Sequence, residues 1–161
     1  MHAARMVWKV ILVPYDFSES AEHATKIACL EAKVHGARLV LLHIVELLPH
    51  FGHETTLMAR PGTSTPVSVL RYYTETAETE LRERAARLEA DGFAVEVVVR
   101  SGVPVEEIRG YVADHPVDVI VMGTHGRTGL RRLIAGSVAE RLVRISPVPV
   151  LTIRHPDSPP P

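Results

Sequence analysis

Apolar residues in this chain gather into short blocks, separated by longer stretches that are apolar on one side only. The first block, residues 8–14, reads Trp-Lys-Val-Ile-Leu-Val-Pro and is rich in branched side chains, which predicts a strand buried on both faces and ended by Pro14. Capping oxygens follow on Asp16, Ser18 and Ser20. Ala24, Ile27 and Ala28 then recur at helical spacing until Gly36, predicting a first helix. Residues 38–45 repeat the pattern of a buried strand. The next stretch, 47–66, holds three prolines, two glycines and two histidines and predicts a long loop, either a functional flap or partly helical. From 67 to 90, Leu70, Tyr73, Ala77, Leu81 and Leu88 fall on one face of a long amphipathic helix that Asp91 and Gly92 stop. A third strand over 93–99, a helix over 104–114 with Val105, Ile108 and Val112 inward, and a fourth strand over 117–122 follow. A helix from about Ser137 and a last strand over 148–153 complete the run.

Five strands alternating with four helices predict an α/β fold with one parallel sheet, doubly wound, because right-handed crossovers place helices on both of its faces. One domain over 1–153 accounts for every element, with 47–66 as its loop. The last residues, 154–161, carry four prolines and read as a disordered tail. Ligands of such sheets lie beyond the carboxyl ends of the strands where the strand order reverses, which directs attention to Asp16 after the first strand and Gly123 after the fourth.

Charge and composition narrow the function. With 19 acidic and 18 basic residues the formal net charge is -1, so no global field gathers nucleic acid or an anionic membrane, and any anion site must be local. The lone Cys29 excludes an internal disulfide and fits a reducing compartment, so a cytoplasmic location is expected. Neither a signal peptide nor an apolar run long enough to span a bilayer stands out.

The segment 122–138 leaves a strand, turns through Gly123, Gly126 and Gly129, and enters a helix behind Gly136 and Ser137. A glycine at a strand end lets a ribose or phosphate approach the backbone. Gly126 permits the positive φ that turns successive N–H groups into one concavity. Gly136 allows close approach at a helix start, where unpaired N–H groups favour an anion, and Ser137 adds a hydroxyl. Arg127, Arg131 and Arg132 concentrate positive charge beside this loop. On spacing alone the same glycines also serve as a tight connection, and Ser137 as a helix cap. Asp16 is likewise divided between a ribose acceptor and a cap of the first helix. Neither the dinucleotide glycine pattern nor a P-loop is present.

The spacing Gly123-x2-Gly126-x9-Gly136-Ser137 resembles the nucleotide-binding signature of the universal stress protein family. The opening residues 9–21, the second-strand Leu-Leu-His-Ile-Val at 41–45 and the ending 146–153 are similar to that family too. The resemblance covers roughly residues 7 to 153. It implies a five-stranded Rossmann-like fold of the adenine nucleotide alpha hydrolase type with strand order 3-2-1-4-5, and membership of the branch that binds ATP. It also implies a homodimer joined through the last strand, Val148 to Ile153. Carried over by residue, it implies that Asp16 holds the ribose hydroxyls, that Pro14 and Ile44 line the adenine, and that Gly123 faces the ribose. Gly126, Gly136, Ser137 and Val138 would cradle the phosphates, with Arg127 beside them. ATP, with Mg²⁺ where phosphates are clamped, is the implied cofactor; AMP and ADP fit the same cradle.

Other candidates are weaker. His50, His53 and Glu54 lack the ligand spacing of a zinc site. His125 reads equally as a phosphate contact and as a solvated loop residue, and His43 as a satisfied core residue. Near the glycine loop only Asp16, His125, Ser137 and Glu140 offer chemistry, none with a recognisable catalytic partner, so the expected role is a nucleotide-dependent regulator rather than an enzyme. A slow ATP hydrolase and a nucleotide-free interaction protein on the same scaffold are the alternatives.

Overall fold

A computed structural model of the chain describes residues 7–46, 57–59, 62, 66–124 and 137–154. In chain order the elements are β1 (Val10–Pro14), α1 (Glu19–His35), β2 (Arg38–Glu46), β3 (Leu57–Ala59), β4 (Pro66–Ser68), α2 (Val69–Ala90), β5 (Val95–Gly102), α3 (Pro104–Asp114), β6 (Val119–Gly123), α4 (Ser137–Ile145) and β7 (Val150–Ile153). Five of the strands form one parallel sheet in the order β5-β2-β1-β6-β7. Counted among themselves these are strands 3-2-1-4-5, as expected.

Each central strand is apolar on both faces because each face meets its own helix layer. Ile11, Val13, Leu39, Leu41, Val119 and Val121 form one core with the alanines of α1 and with Leu81, Ala85 and Leu88 of α2. The intervening Val10, Leu12, Val40, Leu42, Ile120 and Met122 form a second core with Val105, Ile108, Tyr111 and Val112 of α3 and Ala139 and Leu142 of α4. Most of these side chains are fully buried, which stabilises the fold by about 1.5–3 kcal/mol for each large one. Small residues on α1, namely Ala21, Ala24, Ala28 and Ala32, let that helix lie close to the sheet.

The helix ends follow local chemistry. Ser18 caps α1 by accepting from the Ala21 N–H at 3.1 Å, and Gly36 closes it in a left-handed conformation at φ 67°. Pro104 opens α3, where its missing N–H is no loss. Asp118 accepts from the backbone N–H groups of Lys9 at 2.7 Å and Val10 at 2.9 Å, tying the start of β6 to the start of β1.

Two expectations need correction. Within 47–66, Leu57–Ala59 is a short strand and not loop or helix, paired antiparallel with Pro66–Ser68 in the register Leu57↔Ser68 to Ala59↔Pro66, with Gly62 in a turn. Pro66 is tolerated because it is the first residue of its strand. The long helix starts at Val69, two residues late, because Ser68 serves as its cap and accepts from Arg71 N–H at 3.2 Å. Tyr73, on the apolar stripe of that helix, is 53% exposed and packs edge to face on Tyr72 at 5.6 Å. The tail 155–161 lies outside the described residues, as do His50, His53, Glu54 and His125.

Candidate functional site

The strand order reverses between β1 and β6: β1 leads through α1 to β2 on one side, and β6 leads through α4 to β7 on the other. The carboxyl ends of these two neighbours frame the crevice where such sheets bind ligands. Pro14 ends β1 in phase with Val10 and Leu12, so it belongs to the α3 and α4 face. Ile44, two residues beyond Leu42, the partner of Pro14, lies on the same face. Ile44 and the half-buried Val138 pack against one cluster, which fills the face that Pro14 shares by alternation. Ser137 is exposed at the first position of α4.

Asp16 lies in the turn that leaves β1. Its Oδ1 accepts from the Ser18 N–H at 3.1 Å and from the Ser18 hydroxyl at 2.5 Å. The carboxylate therefore braces the turn before α1, whose cap is Ser18 and not Asp16. Gly123 ends β6, paired with Ile153 of β7. A Cβ on Gly123 would stand 2.2 Å from Ser20 Oγ, 2.8 Å from the Ser20 carbonyl oxygen and 2.9 Å from its carbon. The space left by the missing side chain is thus filled by the first turn of α1, and close helix packing is the reason a glycine stands here. Gly126, Arg127 and Gly136 lie outside the described residues.

Around Asp16 the structure adds residues that spacing had not singled out. The next residue, Phe17, has φ 63°. For a bulky side chain this left-handed conformation sets Cβ against the following carbonyl and costs on the order of 1–2 kcal/mol. Its ring packs on Tyr15 at 5.2 Å, edge to face, and on His43 at 4.8 Å. His43 is buried, as expected of a satisfied core residue, and its Nδ1 lies 2.7 Å from the Tyr15 carbonyl oxygen. A carbonyl only accepts, so Nδ1 carries the proton.

The Tyr15 hydroxyl donates to Glu22 of α1, and Arg84 of α2 forks onto the same carboxylate, Nε to Oε1 at 2.9 Å and Nη2 to Oε2 at 2.8 Å. Burial, with the Glu22 carboxylate beside it, pushes the Tyr15 phenol well above its ordinary pKa. Burial also works to raise Glu22, but the hydrogen bonds from Arg84 and Tyr15 and the charges of Arg84 and Lys26 outweigh it and hold the carboxyl below its usual value. Tyrosine and arginine at unrelated positions carry no spacing signal, whereas a bulky residue directly between Asp16 and the Ser18 cap is a signal that sequence inspection could use.

A family model of the universal stress protein family matches residues 8–154, from the strand before the crevice to the residue after the last strand. The chain belongs to the universal stress protein family. Among family members, MJ0577 of Methanocaldococcus jannaschii is 31% identical over 160 residues, covering 95% of this chain and 99% of that protein. A universal stress protein of Thermus aquaticus is 32% identical over 154 residues, with 92% and 100% covered. The fold agrees: the solved structure of MJ0577 superposes with a TM-score of 0.77 over 95% of this chain and all of that one. UspA of Lactobacillus plantarum, 25% identical, gives 0.68 over 92% and 99%. Among the described residues, no helix of this family member is long and apolar enough to cross a membrane.

Proposed function

We propose that the chain binds an adenine nucleotide, ATP above all, across the carboxyl ends of β1 and β6, and acts as a nucleotide-dependent stress-response factor without dedicated catalysis. What supports this reading is that β1 and β6, neighbours at the reversal point of a universal stress protein sheet, end at Pro14 and Gly123, with Asp16 in the turn after β1 and Ile44 and Val138 packed on the α3 and α4 face. Pro14 and Ile44 offer an apolar wall suited to a base. Asp16 offers a carboxylate, an acceptor suited to ribose hydroxyls, and the start of α4, at exposed Ser137 and half-buried Val138, is suited to offer backbone N–H groups to phosphate. The donor set therefore fits the nucleotide. Gly126, Gly136 and Arg127 complete the proposed phosphate cradle, with Mg²⁺ carried on the phosphates.

Binding rather than turnover is favoured by the state of the acidic groups. Glu140 pairs with Arg144 at 2.7 Å on the exposed surface of α4, and Asp16 accepts from Ser18 through Oδ1 while its role here is to receive the ribose, arrangements that suit binding better than activation of a nucleophile. The working unit is proposed to be a single domain over 1–153 in the cytoplasm, with no nucleic-acid or membrane partner. It would dimerise through β7, whose four residues are all half-buried at a sheet edge that otherwise presents unpaired backbone groups.

Mass spectrometry of gently purified protein, followed by calorimetric titration with ATP, tests the reading. Bound or titratable adenine nucleotide is expected, weakened in Gly126→Ala and abolished in Gly136→Val. A wild-type chain that neither carries nor binds any adenine nucleotide at millimolar concentration refutes it. Light scattering at micromolar concentration should give a dimer; a monomer removes the β7 interface.

A further inference from the structure

Phe17 is the one non-glycine with positive φ among the described residues, and it directly follows Asp16. Strain of this kind persists only where the surroundings over-determine it. Here they do. On one side the chain is pinned by the His43 Nδ1–H bonded to the Tyr15 carbonyl at 2.7 Å. On the other it is pinned by the two Ser18 bonds to Asp16 Oδ1 and by the Ser18 cap on α1. The Phe17 ring closes the arrangement by packing on both Tyr15 and His43. The left-handed step at 17 is what folds Ser18 back onto the carboxylate that precedes it.

We infer that Phe17, seated on His43, is a positioning residue that presets the Asp16 carboxylate for the ribose hydroxyls of a nucleotide. The inference rests on the reading that Asp16 receives those hydroxyls. A glycine at 17 reaches the same φ without strain but equally reaches others, so the turn loses its single setting and Asp16 must be ordered by the ligand itself. The ring anchored on His43 supplies what glycine lacks. Preorganisation of this type acts on one end of the ligand, and its loss is read as a loss of discrimination rather than of binding as a whole.

The test titrates the full chain with ATP and with 2′,3′-dideoxy-ATP, which lacks both hydroxyls. Wild type is expected to prefer ATP by about tenfold or more, the range for hydrogen bonds to a charged group, and Asp16→Ala to lose that preference. Phe17→Gly should cut the preference at least about threefold while its affinity for the dideoxy nucleotide stays within about twofold of wild type. Should the glycine variant fail to fold, Phe17→Asn, which tolerates the left-handed conformation but lacks the ring, carries the same expectation. A preference unchanged in the folded variant overturns the assignment, as does an equal loss for both nucleotides, which would mark a general structural role. A wild type that binds both nucleotides equally, or neither, refutes the ribose role of Asp16 and the assignment with it. That failure is recognised before any variant is made.

Discussion

Replacing Gly123 by alanine places one methyl group in space already held by α1. The new Cβ would meet Ser20 Oγ at 2.2 Å, the Ser20 carbonyl oxygen at 2.8 Å and its carbon at 2.9 Å, all closer than real Cβ atoms come to anything. The hydroxyl can rotate away; the carbonyl cannot, because it belongs to the first turn of a helix of 17 residues whose alanines hold it to the sheet. Either α1 shifts outward or the end of β6 bends, and overpacking of this kind costs about 1–3 kcal/mol. For a domain of this size that lowers the melting temperature by roughly 2–12 °C. Scanning calorimetry on Gly123→Ala, Ser20→Ala and the double variant separates the causes. Ser20→Ala removes only the hydroxyl, so the double variant should recover less than half of the loss. Full recovery would show that the clash lay in the side chain alone and that helix and strand backbones do not touch here.

The Tyr15–Glu22–Arg84 network sets the pH response. Glu22 has a folded pKa below its unfolded one, so its contribution is present above the unfolded value of about 4.3 and is lost as pH falls through the folded value. Tyr15 has its pKa raised, so its contribution is complete below about pH 10 and is lost as pH rises beyond that. Melting curves of Glu22→Gln should be flatter than wild type on the acid limb, and those of Tyr15→Phe flatter on the alkaline limb; parallel curves would contradict the network. Arg84→Met should cost about 1 kcal/mol, at the low end for a charged pair because Glu22 is 38% exposed. Asp118→Ala leaves the N–H groups of Lys9 and Val10 without their acceptor and should cost about 1–3 kcal/mol, seen as a lower urea midpoint at unchanged slope.

Much of the architecture was legible because buried parallel strands announce themselves as unbroken apolar runs. Residues 8–14, 38–45 and 117–122 needed no alternation to be recognised, and Pro104 and Gly36 marked helix ends through their own backbone preferences. The β3–β4 pair was not legible, since strands of three residues are shorter than any periodicity can register. At the crevice the physical cause of one residue was not legible. Gly123 looked like room for a ligand, and its neighbour turned out to be Ser20, which no local window contains. Arg84 reaches Glu22 across 62 positions, and only the fold makes them adjacent.

The alternation along β1 has an outcome at its last residues. Pro14 looks into the layer of α3 and α4, and Tyr15 into the layer of α1 and α2, so one peptide bond passes the rim from one half of the molecule to the other. The two halves share strands, and among the described residues their buried apolar side chains form two separate clusters. Drift in the packing of α3 or α4 would act first on the apolar wall proposed for the base, and drift in α1 or α2 first on the turn at Asp16. A lineage could then tune the two ends of the proposed site through different helices.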